Sequence, residues 1–297
     1  AQFHKHLQLG IGQHFQPVWR KRDRVRSDES GLLDIQKGWD FDALKDANFK
    51  PTSYGRFEWT VNEEAYVKQY MPPSVVNMSY GAENLIAEMD YANVDRALLH
   101  RTPYMGISND FIAECIHDFP GRLQGLAYVE EWLIQRDMDT SISKLQRAIC
   151  ELGLHGLQFL PDHMSLYGQQ ENWDKNNFKP YWDVLTSLEV PLFITPSFSS
   201  LQNRGGSING LITELIKLRH WMNNYPDVKV VLTHGLFWRV FIENDELNIP
   251  DEIFDALPLG NPNFYLQILF AIFLGGVWDY PMMQVRSTME KLVDRVG

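Results

Sequence analysis

Cysteine is nearly missing from this chain: Cys115 and Cys150 are the only two in 297 residues. Both fall within helix-like sequence, which excludes a disulfide framework and leads one to expect free thiols in a reducing compartment. No apolar run approaches the length of a membrane span, and no signal peptide opens the chain. A cytoplasmic protein without a membrane partner is therefore expected. Positive charge is also in short supply, with 27 Lys and Arg against 38 Asp and Glu and a net charge of -11. That balance argues against nucleic acid as the main partner. The one basic cluster, Arg20-Lys21-Arg22 with Arg24 and Arg26, reads as a solvated turn that could also attract an anionic substrate. No glycine-rich phosphate turn follows any apolar run, so the nucleotide-binding form of a doubly wound sheet lacks support. Repeats and low-complexity segments are absent.

What is present is core material. The chain is 44% hydrophobic and 13% aromatic, ample for a large folded domain and unlike a disordered one. Its length suits one barrel or two smaller units.

From about residue 80 the pattern alternates regularly. Helical spacing over 81–92 precedes an apolar run from Val94 to His100, read as a strand. A helix over 108–118 then leads to the run Leu123 to Val129. An amphipathic helix over 137–152 stops at Gly153, followed by the run Leu154 to Leu160. A helix over 178–189 precedes Val190 to Ile194, and a helix over 207–225 precedes Val228 to His234. The run Asn263 to Phe270 and a helix over 281–296 complete the series. Near-continuous apolar strands alternating with helices indicate a parallel sheet buried on both faces. The expected fold is α/β, a (β/α)8 TIM-type barrel forming one domain over 1–297, with its eighth strand falling after Gly297. Residues 10–80 have weak periodicity and hold Trp19, Trp39 and Trp59. They read as a long insertion after the first strand, a lid or a dimer contact. Its aromatic surface leads one to expect a homo-oligomer.

In a strand, alternate side chains share a face, so His4 and His6 of Phe3-His4-Lys5-His6-Leu7 point the same way and together form half a metal site. The plainer reading is two solvated histidines in a loose terminus. The ends of the expected strands favour the metal. They carry His100-Arg101, Glu130-Glu131-Trp132, Pro161-Asp162-His163, Thr195-Pro196-Ser197 and His234-Gly235, with Phe237, Trp238 and Arg239 close behind. Titratable groups at the C-terminal ends of apolar strands are what an active site at a barrel mouth requires. His155 stands at the wrong end of its strand and reads as structural, while His14, His117 and His220 read as surface residues.

The H-x-H strand, Glu88-Met89-Asp90, Gly153-Leu154-His155-Gly156-Leu157-Gln158 and Thr233-His234-Gly235 together resemble the metal-dependent amidohydrolase superfamily. The nearer likeness is to the branch holding the aminocarboxymuconate-semialdehyde, resorcylate and carboxyvanillate decarboxylases. That resemblance implies a divalent metal, zinc or alternatively manganese, bound by His4 and His6. It places His234 beside the metal as a ligand or an acid/base. The family's fifth-strand histidine is replaced here by Thr195, and its eighth-strand aspartate has no counterpart before Gly297.

The expected activity is non-oxidative decarboxylation of a small aromatic or unsaturated carboxylic acid. Arg101 and Arg239 suit a carboxylate, Phe237 and Trp238 suit a flat ring, Glu130 and His234 are candidate catalysts, and His163 and Thr195 line the substrate. The alternatives are a metal-dependent hydrolase of an amide, ester or lactone, and a metal-free barrel acting as a binding subunit.

Overall fold

The computed structural model describes residues 18–25, 50–61, 63–69, 72–77, 79–100, 108–161, 164, 172–196, 208–236, 241–243, 246–267, 286, 290 and 292–295. The chain divides into two compact units, Ala1–Gly125 and Leu126–Gly297.

The first unit opens with an antiparallel sheet of β1 (Val18–Arg20), β2 (Lys50–Thr52), β3 (Arg56–Val61) and β4 (Glu64–Gln69), in the order β1-β4-β3-β2. Polar and apolar residues alternate along β3, so Phe57 and Trp59 share the buried face while Arg56 and Glu58 take the other. Tyr66 and Lys68 of β4 are buried as well, Lys68 only 2% exposed. Burial lowers the Lys68 ammonium to a pKa of about 8, since a low-dielectric site disfavours the charged form. The unit continues through α1 (Ala82–Tyr91), β5 (Ala97–Leu99), α2 (Asn109–Asp118) and β6 (Leu123–Gly125), with β5 and β6 parallel. Met89, Cys115 and Leu123 form their small shared core. Burial, followed by the charges of Asp118 and Glu114, raises the Cys115 thiol pKa.

The second unit holds a parallel sheet of β7 (Ala127–Tyr128), β8 (Leu157–Phe159), β9 (Leu192–Ile194), β10 (Val230–Leu232) and, beyond the short antiparallel pair β11 (Ile242–Glu243) and β12 (Glu246–Leu247), β13 (Phe264–Leu266). Its order is β13-β10-β9-β8-β7. The register is regular: Leu157 pairs with Leu192, Val230 with Leu192, and Val230 with Phe264. The parallel α/β architecture read from the sequence is present, and each strand is shorter than its apolar run. The run Leu123 to Val129 is split at Leu126, where it changes hydrogen-bonding partner from β5 to β8.

The helices of this unit are α3 (Glu131–Ile134), α4 (Met138–Gln146), α5 (Lys179–Ser187), α6 (Ile208–Asn224) and α7 (Asp251–Ala256). Asp137 caps α4, its side chain accepting from the Thr140 amide at 3.0 Å, which satisfies one of the amides a helix start leaves open. A π-turn over Arg147–Glu151 extends α4 to Gly153, whose φ of 70° ends it as a left-handed residue without a side chain can. Pro180 lies in the first turn of α5, where a missing amide proton costs nothing. α6 buries Leu211, Leu215, Leu218, Trp221 and Met222 along one helical face. These meet Trp182 and Tyr181 of α5 and Phe159 of β8 in the main core. Trp182 is edge-on to Phe159 and Trp221, with ring centroids 5.1 and 5.3 Å away. Its indole N–H donates to the Trp173 carbonyl at 2.8 Å.

Among the described residues no helix is long and apolar enough to cross a membrane.

Candidate functional site

The C-terminal ends of β7, β8, β9, β10 and β13 bring a row of polar groups to one end of the parallel sheet. At β7 this is a pair of buried carboxylates. Glu131 is fully buried; its Oε2 accepts from the Tyr128 hydroxyl at 2.7 Å, and its Oε1 accepts from the Leu160 amide at 2.9 Å. One carboxylate therefore ties the end of β7 to the end of β8. Glu130 accepts from Lys144 Nζ through both oxygens, at 2.8 and 2.9 Å, so its charge is compensated by a lysine on α4. The fully buried Tyr181 hydroxyl has no hydrogen-bond partner among the described residues. Burial first, and the charges of Glu131 and Glu130 next, raise its pKa well above the usual phenol value; the phenol stays neutral.

At β9 and β10 the row is Thr195, Thr233 and His234. The two threonine hydroxyls are 2.6 Å apart, and Thr233 Oγ1 donates to the Ile194 carbonyl at 3.0 Å. A hydroxyl has one proton. With that of Thr233 committed to Ile194, the short contact is made by the proton of Thr195. Thr195 thus has oxygen lone pairs, and no proton, left for a further partner.

His234 follows directly, with φ 61°, and Gly235 follows it with φ 62°. A left-handed conformation is uncommon for a residue with a side chain, although histidine tolerates it better than most, and it costs roughly 1 kcal/mol or more unless the surroundings hold it. The His234 amide donates to Gln267 Oε1 at 2.9 Å, and the Gln267 amide donates to the Leu232 carbonyl at 3.0 Å.

Of the residues singled out from the sequence, His234, Glu130 and Thr195 are described, all at strand ends of this sheet. His4, His6, Arg101, His163, Phe237, Trp238 and Arg239 lie outside the described residues. Among the described residues no group of three or more His, Cys, Asp or Glu side chains could hold a metal ion. The expected set of His4, His6 and His234 is chemically suited to one, because neutral imidazoles bind borderline divalent ions such as zinc.

Sequence reasoning passed over Glu131 for its neighbour Glu130, and Gln267 for the apolar run around it. The single polar residue at the end of Phe264-Tyr265-Leu266-Gln267 was the available signal. His220, read as surface, is half-exposed, and its Nδ1 lies 2.8 Å from Oδ2 of the buried Asp174.

A family model described as Amidohydrolase matches residues 58–240. The chain belongs to the amidohydrolase family. The matched span includes every strand end above except that of β13. No curated protein matches the chain. Among solved structures it is similar to 2,6-dihydroxybenzoate decarboxylase from Rhizobium, with 18% identity, a TM-score of 0.42, and 60% of this chain and 69% of that one covered. It is similar to 5-carboxyvanillate decarboxylase from Novosphingobium aromaticivorans, solved with manganese and 4-hydroxy-3-methoxy-5-nitrobenzoic acid. There the identity is 21%, the TM-score 0.41, and the coverage 53% and 49%. A third is 4-oxalomesaconate hydratase from Rhodopseudomonas palustris, with 16% identity, a TM-score of 0.39, and 54% of each chain covered. The chain spans about half the length of the latter two.

Proposed function

We propose that this amidohydrolase-family chain is a metal-dependent lyase that decarboxylates a small aromatic or unsaturated carboxylic acid without an oxidant. The observation that carries the reading is His234, an imidazole in a left-handed turn at the end of a buried parallel strand, inside the span matched by the family. In the (β/α)8 barrel expected from the sequence, such a strand end is where the chemistry of the C-terminal face is performed.

In this reading His4 and His6, with His234 beside them, hold a divalent ion, zinc or manganese. When bound, the ion supplies a Lewis acid for the substrate carboxylate and an adjacent hydroxyl. The protein's own groups do the rest. Arg101 and Arg239 orient the anionic substrate through paired N–H donors, and Phe237 and Trp238 cover the ring. The bond between ring carbon and carboxylate breaks, its electron pair stays on the ring carbon, and that carbon takes a proton as carbon dioxide leaves. His234 is the proton carrier the site offers. Glu130, the other candidate catalyst, is held at the end of β7 by both oxygens on Lys144. The oxygen lone pairs of Thr195 suit a hydroxyl donor on the substrate.

The test combines metal analysis by mass spectrometry of the wild type and a His4→Ala/His6→Ala variant with carbon dioxide release from hydroxybenzoates. A bound ion lost in the variant, together with carbon dioxide release, supports the lyase. Hydrolysis of lactones or amides in place of release overturns it in favour of a hydrolase. No metal and no turnover in the wild type overturns both, leaving a binding subunit.

A further inference from the structure

The parallel register aligns Ile194 with Leu232 and Leu232 with Leu266. One step further along, Thr195, Thr233 and Gln267 form a row across three adjacent strand ends. The first two are joined by their hydroxyls. The third engages the neighbouring strand twice: its amide donates to the Leu232 carbonyl at 3.0 Å, and its side-chain oxygen accepts from the His234 amide at 2.9 Å.

These two bonds bracket Thr233. The first continues the sheet ladder. The second takes over where the ladder ends, because β10 leaves extended geometry at this point: His234 and Gly235 have φ of 61° and 62°. A residue with a side chain stays in that region only when its surroundings fix it, and the direction of its Cα–Cβ bond follows from the backbone angles. Whatever holds the His234 amide therefore fixes where its imidazole starts. Gln267 is 33 positions from His234 along the chain, just past the last described strand, and lies outside the span matched by the family.

We propose that Gln267 is a positioning residue that holds the His234 main chain in its left-handed turn and so aims the imidazole at the reacting centre. The proposal rests on the reading of His234 as the working group of a metal-dependent lyase. It assigns Gln267 no contact with substrate or metal.

The test uses the full-length chain with Gln267→Leu, which removes the acceptor at similar volume, and Gln267→Glu, which keeps an oxygen at the same reach. The His234 ring signals are followed in histidine-labelled NMR spectra, assigned by loss in a His234→Gln variant, and the exchange rate of the His234 amide is measured beside them. Gln267→Leu is expected to shift the ring signals and to speed exchange of that amide about tenfold, and Gln267→Glu to restore both. Zinc retained after dialysis and the kcat for hydroxybenzoate decarboxylation should each fall about tenfold in Gln267→Leu, with KM within twofold, since misplacing a reacting group acts on the chemical step. Ring signals and exchange unchanged in Gln267→Leu would overturn the proposal, as would equal loss in both variants. Should Gln267→Leu fail to fold, wild-type ring signals in Gln267→Glu beside shifted ones in Gln267→Asn, whose shorter chain cannot reach, decide the matter. The NMR and exchange readouts need no turnover, so a wild type inactive on hydroxybenzoates removes the lyase reading while leaving the role of Gln267 decided on its own data.

Discussion

The Thr195 hydroxyl donates to the Thr233 hydroxyl across the ends of β9 and β10, at 2.6 Å, while Thr233 passes its own proton to the Ile194 carbonyl. The pair is therefore directional. Thr233→Val leaves the buried Thr195 donor with no acceptor and should cost about 1–3 kcal/mol. Thr195→Val leaves Thr233 still donating, and about 1 kcal/mol is expected. The double variant should cost less than the two combined, because one loss is shared. Urea denaturation of all three checks the order, and equal costs would contradict the assigned direction.

Glu131 holds the Tyr128 hydroxyl and the Leu160 amide with its two oxygens, fully buried. Glu131→Leu removes the acceptor of both the buried Leu160 amide and the Tyr128 hydroxyl, and should destabilise by about 2–4 kcal/mol. Tyr128→Phe removes a single bond to a charged acceptor and should cost about 1.5–3 kcal/mol. Thermal unfolding of each variant provides the comparison; Glu131→Leu should be the more damaging.

The Lys68 side chain gives stability a dependence on alkaline pH. Its pKa is about 8 when folded and returns to the ordinary lysine range, about 10.4, when unfolded. Between these values the unfolded state binds more protons, so stability rises with pH through that window. Below about 8 the ammonium is charged in both states, and the full cost of burying it applies. Lys68→Met removes the dependence. The gap in melting temperature between wild type and Lys68→Met should therefore move in favour of the wild type from pH 8 to 10, and a constant gap would refute the burial argument.

Gly156 precedes β8, where a side chain has no room. A Cβ there would lie 2.9 Å from the Pro191 carbonyl oxygen and 3.0 Å from Leu126 Cδ2. That carbonyl also accepts from the Leu157 amide at 2.9 Å, so it cannot retreat without loosening the ladder. Gly156→Ala should destabilise by about 1–3 kcal/mol, measured by guanidinium unfolding. A neutral result would mean that the β8 and β9 backbones separate easily.

Much of this was legible in the sequence. The helices over 81–92, 108–118 and 207–225 match α1, α2 and α6 within two residues, because their apolar spacing follows the helical period. Every parallel strand lies inside an apolar run. The antiparallel sheet of the first unit was missed although Arg56-Phe57-Glu58-Trp59-Thr60 alternates cleanly. Its neighbour β4 hid the pattern by placing Lys68 on the buried face and Val67 on the other. The strand-end position of His234 followed from a local run of residues. The bonds that fix it did not, because Gln267 is 33 positions away and reaches the site through register alone. Glu131 and Glu130 are adjacent in sequence, and only the packing of Leu160 and Lys144 separates a strand clamp from an ion pair.

The indoles of Trp173, Trp182 and Trp221 lie with centroids 5.3 to 6.3 Å apart, close enough for their electronic transitions to couple. The cluster should give an exciton couplet in circular dichroism that no isolated tryptophan produces. Because its three members come from the segment before α5, from α5 and from α6, the couplet changes shape and amplitude as soon as any one of these elements detaches, and is lost only when two do. The second unit thus carries its own optical gauge of helix docking, independent of any label and of any substrate.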